Sequence, residues 1–354
     1  MRFLWAFLGS TSLLFGVLIA AITVVNPLQE FSGTRFPARL LNTRQMKGDR
    51  FDSVSAHNGL AGVIIGSSRS MNLPPSVFSQ VTGERFFNFG VFNAAIDDDL
   101  AVARYIVATR PDVRDFVVGI DPQSFDPTMN PPIELAHNVR LSTALNGHLG
   151  SLWHDVIIKV EAYRDALTVS YLADVAKSAR NYSHPPEPVY SFDSVGVLQY
   201  PKADGERKAG TYSFKEHFDN CAALQSTVYR NYDSLGVAKR AMLDSLISEA
   251  TARGIHVVLW TPPFNPALTA ILQKDSPAYA NYQRSLSYIK SLARPPMVTT
   301  VDNSLTSSLP NPDGWYDCMH FDSSNAPTVA HALAEAVRYS HVSAAATSTP
   351  AATP

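Results

Sequence analysis

The chain has 354 residues, of which 45% are hydrophobic and 17% charged, with 29 Lys and Arg against 31 Asp and Glu. That balance excludes a disordered chain and the basic stripe of a nucleic-acid binder, so no nucleic-acid partner is expected. At roughly 150 residues per domain, the length allows two average domains or one large α/β domain. Two cysteines, Cys221 and Cys318, are too few for a disulfide framework and have no paired C-x-x-C spacing for zinc; a single bridge in an oxidising compartment stays open.

The first element is apolar. Residues 3–25 carry no charge and stop at Asn26-Pro27, and about 20 such residues span a bilayer. Arg2 precedes the run while Arg35, Arg39, Arg44 and Lys47 follow it, so positive charge alone does not set the orientation. A short flank before an uncleaved apolar helix stays inside, which makes residues 1–26 a single-pass anchor in the cell membrane with an extracytoplasmic, periplasmic body. A cleaved signal peptide is the alternative, although the run exceeds the usual core of about 7–15 residues and no A-x-A site follows. Residues 27–59 mix Pro, Gly, Arg and Asn without periodicity and read as a linker. The folded body spans 60–341, and 342–354, rich in Ala, Ser, Thr and Pro, reads as a disordered tail.

Within the body, residues 61–65, 85–89, 115–121, 255–261 and 297–301 are short β-rich apolar runs that read as buried strands. Residues 98–109 and 232–253 carry apolar positions at helical spacing, with Gly254 placed to close the second. Strand and helix alternate in this order, which predicts an α/β fold: a three-layer sandwich around a central parallel five-stranded sheet, flavodoxin-like in type. Residues 126–231 are a long insertion, helical over 153–180 and rich in Gly, Tyr, Lys and Asp over 190–217. The final helix is expected over 326–339.

In such sheets, ligands bind beyond the carboxyl ends of the strands. The first strand is followed by Gly66-Ser67-Ser68-Arg69-Ser70, a sharp turn that lifts a hydroxyl above the sheet and aims backbone N–H groups into the same space. The plainer reading is a serine-rich turn capping a helix. A serine hydroxyl needs a base, and an imidazole needs an acceptor that fixes its tautomer. Asp317-x-x-His320, just before the last helix, supplies both. No carboxylate and histidine cluster with metal spacing is visible along the chain, so neither a metal nor an organic cofactor is expected.

This pattern resembles the SGNH hydrolases, whose first block is strand-G-D-S and whose last is D-x-x-H before the terminal helix. Gly66-Ser67-Ser68 aligns with the first block, with Ser in place of Asp, and Asp317-x-x-His320 matches the last. The resemblance implies Ser68 as nucleophile, His320 as base and Asp317 as its orienting carboxylate. Asn88-Phe89-Gly90 is similar to the second block, which implies an oxyanion hole built from the Ser68 and Gly90 amides. Asp121 stands where the third block has an asparagine, and a carboxylate repels an oxyanion, so either Asp121 points away or the hole has fewer donors; Asn93 is a candidate substitute donor or else an ordinary loop amide. Within the superfamily the chain is most similar to membrane-tethered envelope O-acylation proteins of the alginate O-acetyltransferase and teichoic acid D-alanyl transfer type, which share the anchor, the G-S-S block and the insertion.

That resemblance implies a serine O-acyltransferase or acetylesterase acting on a polysaccharide or other acyl ester, with a multispanning membrane O-acyltransferase as a further partner. Arg69, Asp121 and Trp260 are the candidate substrate contacts, Arg69 being equally able to hold a structural carboxylate. Tyr200, Tyr212 and Phe214 with Lys202, Arg207 and Lys208 suit a sugar or anionic polymer surface, or else an ordinary solvated loop. The alternative from another class is an anchored polysaccharide-binding or assembly subunit with weak or lost catalysis, for which Asp121 is the main argument.

Overall fold

The computed structural model describes residues 1–31, 36–37, 41–55, 59–148, 151–184, 189–302 and 309–348. Parts of the expected linker (32–35, 38–40 and 56–58) and the end of the expected tail (349–354) lie outside the described residues. In chain order the helices are α1 (Arg2–Val25), α2 (Thr43–Ser55), α3 (Pro75–Thr82), α4 (Ile96–Thr109), α5 (Ile133–Ala136), α6 (Val139–Leu145), α7 (Leu152–Ala166), α8 (Val169–Arg180), α9 (Pro201–Ala209), α10 (Phe214–Arg230), α11 (Val237–Thr251), α12 (Pro266–Lys274), α13 (Ser276–Ser291) and α14 (Ala326–Ser348). The strands are β1 (Leu60–Gly66), β2 (Arg85–Asn88), β3 (Asp115–Gly119), β4 (Ser191–Phe192), β5 (Leu198–Gln199), β6 (His256–Trp260) and β7 (Val298–Val301). They fall into two compact units, Met1–Gly48 with Ile133–Glu187, and Asp49–Pro132 with Pro188–Pro354.

The second unit is built on a five-stranded, all-parallel sheet of order β2-β1-β3-β6-β7. Both faces are covered, and the β-branched content follows from that: every residue of β1 and β3 is buried. Ile64, Val117, Val258 and Trp260 point to one face, where they pack with Val329, Leu333 and Val337 of α14 and with Phe78 of α3. Their strand neighbours, such as Val63, Val118 and Leu259, are equally buried and must point to the opposite face. There α4 and α11 pack on each other and against β1 and β6. Strand order therefore reverses between β1 and β3, which makes the carboxyl ends of those two strands a switch point where a crevice forms.

Two boundaries differ from the sequence reading. Residues 43–55, expected in a linker, form α2, and Phe51 is fully buried against Phe87, Phe89 and Tyr105, so the folded body starts before residue 60. The last helix continues past His341 to Ser348, into residues expected as tail, because an alanine-rich sequence extends a helix at little cost.

The first unit carries α1, a helix of 24 residues long and apolar enough to cross a membrane, with mean hydropathy 2.2. Only its carboxyl end is buried: Ile22 and Val25 pack against Ala166, Tyr171 and Val175. His137 sits between two carboxylates, with Nδ1 3.0 Å from Glu30 and Nε2 3.1 Å from Asp165. The hydrogen bond to Glu30 raises the imidazole above its ordinary range, with Asp165 adding to it and burial opposing it. A raised histidine contributes stability that is complete below its unfolded value of ~6.5 and fades as pH rises through the folded value. Hydrogen-exchange protection across α6 and α7 in the detergent-solubilised full chain, taken relative to the intrinsic rate at each pH, is therefore expected to fall as pH rises above ~6.5, and His137→Asn is expected to flatten that fall.

Candidate active site

The sharp turn after β1 is shaped by absent side chains. Gly66 has φ +135°, a conformation that disfavours any other residue, and a Cβ on it would meet Ser70 Oγ at 2.5 Å. A Cβ on Gly119, its register partner in β3, would meet the same oxygen at 2.2 Å. Ser70 thus fills the space between two glycines. The chain folds back through a bond from the Ser70 N–H to the Ser67 carbonyl at 2.9 Å. This leaves Ser67 buried and Ser68 partly exposed above the switch point.

The other half of the site lies between β7 and α14. Trp315 and Phe321 form an antiparallel bridge, and the Tyr316 N–H donates to the His320 carbonyl at 2.7 Å, closing a tight reversal. Inside it, Asp317 Oδ1 accepts the N–H groups of Met319 (2.7 Å) and His320 (2.8 Å), while Oδ2 faces His320 Nδ1 at 2.7 Å. His320 Nε2 lies 2.8 Å from Ser68 Oγ. Because an ionised carboxylate only accepts, Nδ1 carries the proton and Nε2 is left to accept from the serine hydroxyl. Burial alone would raise Asp317, but the charge and hydrogen bond of His320 and the two backbone N–H groups outweigh it and hold the carboxyl below its ordinary range. The carboxylate form is thereby kept at neutral pH.

Two covalent and polar ties hold this loop against its surroundings. Cys318 is bonded to Cys221 of α10, with Cα atoms 5.7 Å apart, so the bridge left open by the sequence is formed. Asn72, just beyond the Ser68 turn, donates from Nδ2 to the Phe321 carbonyl at 2.6 Å.

The remaining sequence candidates divide. Gly90 follows β2, but its N–H donates to Asn88 Oδ1 at 3.0 Å, so that amide is engaged within its own loop rather than free for an oxyanion. Among the described groups the Ser68 N–H has no hydrogen-bond partner, and Asn93 is exposed, held at φ +51° on the loop after β2. Arg69, Asp121 and Trp260 are not presented to a substrate. Arg69 is 1% exposed; Nε donates to Asp121 Oδ1 at 3.0 Å and Nη2 approaches the same oxygen at 2.6 Å, while the guanidinium stacks 4.9 Å over Phe264. Of the two roles open to Arg69, the structure has the structural one. Trp260 is fully buried in the core cluster with Trp315 and Phe321, where its size serves packing. Asp121 is neutralised by Arg69, which answers its repulsion but supplies no donor.

An aromatic row that the sequence indicated only in part runs beside Asp317. Phe92 meets Tyr190 at 4.8 Å between ring centroids, Tyr190 meets Tyr200 at 5.4 Å, and Tyr200 meets Tyr316 at 4.2 Å. Burial first, then the Asp317 charge, raises the Tyr190 phenol. Tyr200 is raised by burial, then by Tyr190 and Asp317. Both stay protonated at neutral pH. Arg207 lies over Tyr316 at 4.4 Å and Tyr212 at 5.0 Å and pairs with Asp322 at 2.7 Å, so its charge is already matched. Tyr200 and Tyr316 also line a cavity of ≈ 600 Å³ with Asn72, Leu198 and Lys208. Phe214 packs on Phe218 and lines a separate cavity with Arg207 and Tyr212. Phe92, Tyr190 and Tyr316 were missed as a group because they lie in three separate stretches of the chain, beside other aromatics; only folding aligns them.

The buried Arg69 and Asp121 pair has a measurable signature. Removing one partner strands a charge and costs about 3–5 kcal/mol, whereas replacing both with apolar residues is close to neutral. Arg69→Met is therefore expected to lower the denaturation midpoint of the full chain sharply, and Arg69→Met with Asp121→Leu to recover most of it. A substrate-contact role would instead leave stability unchanged in the single variant.

No family model matches the chain, and no curated protein matches it. A solved structure similar to it is the C-terminal catalytic domain of peptidoglycan O-acetyltransferase A (OatA) from Streptococcus pneumoniae, carrying a methylsulfonyl adduct. The identity is 11%, over 82% of this chain and 97% of that one, with a TM-score of 0.32. An overlap of that size bears on neither fold nor activity here.

Proposed function

We propose that this chain is a membrane-anchored serine acyl-transfer enzyme of the SGNH type, an O-acyltransferase or acetylesterase acting on an envelope or secreted polysaccharide. The observation that carries the reading is the unbroken chain of hydrogen bonds from Ser68 Oγ through His320 to Asp317 at the sheet's switch point. The order of groups matches what nucleophilic acyl transfer requires: a hydroxyl, a base within reach of its proton, and an acceptor that orients the base.

In the first half-reaction Ser68 Oγ attacks an ester carbonyl as its proton moves to His320 Nε2, and Asp317 stabilises the imidazolium that forms. The Ser68 N–H, which has no partner among the described residues, would steady the tetrahedral oxyanion, with Asn93 as the candidate further donor. Collapse breaks the bond to the leaving alcohol, which takes the proton from His320 and leaves an acyl ester on Ser68. An acceptor hydroxyl, from a sugar or from water, then gives its proton to His320 and attacks that ester, and Ser68 regains its proton from His320. The aromatic row beside Asp317 suits a sugar acceptor, whose apolar faces stack on rings. The apolar helix α1 and the Cys221–Cys318 bridge support an extracytoplasmic body tethered to the membrane, since disulfides persist in oxidising compartments. A multispanning membrane O-acyltransferase is the proposed source of the acyl group.

One observation favours a second reading, an anchored polysaccharide-binding subunit: the Gly90 N–H is occupied and the end of β3 offers no donor, so the oxyanion is held by few groups. Loss of one such donor costs about 10²–10³ in rate. The purified full chain in detergent separates the two. The enzyme reading expects hydrolysis of an aryl acetate and labelling by a fluorophosphonate, both lost in Ser68→Ala and His320→Ala, with Asp317→Asn lowering kcat by about 10⁴. Polysaccharide binding by a folded chain that neither labels nor turns over would establish the second reading instead.

A further inference from the structure

A second group of reactive side chains lies at the opposite end of the sheet from Ser68. Asp115 and His256 are the first residues of β3 and β6 and are register partners in the parallel ladder. His341 reaches them from α14. Asp115 Oδ1 is 2.8 Å from His341 Nε2 and 3.5 Å from His256 Nδ1, and one ligand atom from each residue lies within 4.8 Å of the other two. The two imidazole rings are 5.0 Å apart between centroids.

Protein contacts do not account for this arrangement. The Asp115 side chain is 1% exposed, yet its Oδ2 has no hydrogen-bond partner, and neither has the buried His256 Nδ1. The bond to His341 uses one carboxylate oxygen and leaves the other atoms unsatisfied, which is costly in a buried site. A cation that accepts two imidazoles and a carboxylate would satisfy them together.

We propose that Asp115, His256 and His341 bind one divalent transition-metal ion of the zinc class. Two nitrogen ligands disfavour calcium and magnesium, which prefer oxygen. Bonds of about 2.0–2.2 Å in a tetrahedral site put ligand atoms roughly 3.3 Å apart, and the separations of 2.8 and 3.5 Å bracket that value. His256 and His341 are 15% and 30% exposed in their side chains, so solvent reaches the site and water completes the coordination. The role is structural. Roughly 13 Å of strand separates Asp115 from Gly119 and the catalytic end, and the ion would pin α14 to the amino edge of the sheet. Sequence reading found no such cluster because the three residues are scattered along the chain.

The test uses the full chain in detergent, stripped with chelator and dialysed against micromolar zinc, then freed of excess. One zinc per chain by mass spectrometry is expected, with a rise in Tm of several degrees, and cobalt in its place is expected to give visible bands of a tetrahedral site. His341→Ala, at the most exposed ligand, and Asp115→Asn are expected to lose both the bound zinc and the rise in Tm. No uptake by the folded chain, or equal uptake by folded His341→Ala, overturns the proposal. The readouts are independent of Ser68, so they stand or fall separately from the acyl-transfer reading.

Discussion

The contact between Ser68 Oγ and His320 Nε2 is the constraint on which the rest depends, because it joins side chains 252 positions apart at 2.8 Å. A displacement of about 1 Å at such a contact is enough to cost orders of magnitude in rate. The molecule fixes both ends. On the serine side, Gly66 and Gly119 leave the room that Ser70 fills, and this sets the turn. On the histidine side, the reversal at 315–321, the Asp317 carboxylate and the Cys318 bridge leave the imidazole little freedom. The bond from Asn72 to the Phe321 carbonyl couples the two loops directly. Beneath them, Trp260, Trp315 and Phe321 form one packed cluster, so the large rings act as a floor and not as contacts for a substrate.

Much of the fold was legible because its signals are local. The five main strands fall within two residues of their sequence-based bounds, since β-branched runs buried on both faces look alike wherever they occur. Asp317 and His320 were legible for the same reason: their partnership spans a single turn of chain. Arg69 was not, because whether a cation is free or paired depends on what lies across the sheet, and its partner is 52 residues away. The engagement of the Gly90 amide by Asn88 is local in sequence, but it depends on which way one side chain rotates, and no residue pattern reports that. Residues 153–180 were legible as helical. That they form a compact unit with the amino-terminal segment was not, because the apolar positions that join Ile22 to Tyr171 carry no mark of their partner.

The electrostatics of the region follow one rule, that buried charge is matched. Arg69 neutralises Asp121 and Lys239 pairs with Asp97, while Asp99, left without a cation, is pushed well above the ordinary carboxyl range by burial and by its acidic neighbours. On the proposed reading, the pairing of Arg69 with Asp121 offsets the repulsion Asp121 would exert on an oxyanion. It does not replace the missing donor. On the proposed acyl-transfer reading, a slow enzyme is expected, because few donors would stabilise the oxyanion.

The most direct measurement is capture of the covalent intermediate. The full chain is mixed with an activated acetyl ester, quenched in acid within the first turnover, digested and analysed by mass spectrometry. An acetyl group on the peptide containing Ser68, absent when His320 is replaced by alanine, is the expected result. An acetyl group on any other residue, or a folded chain that consumes the ester while Ser68 stays unmodified, would contradict the account.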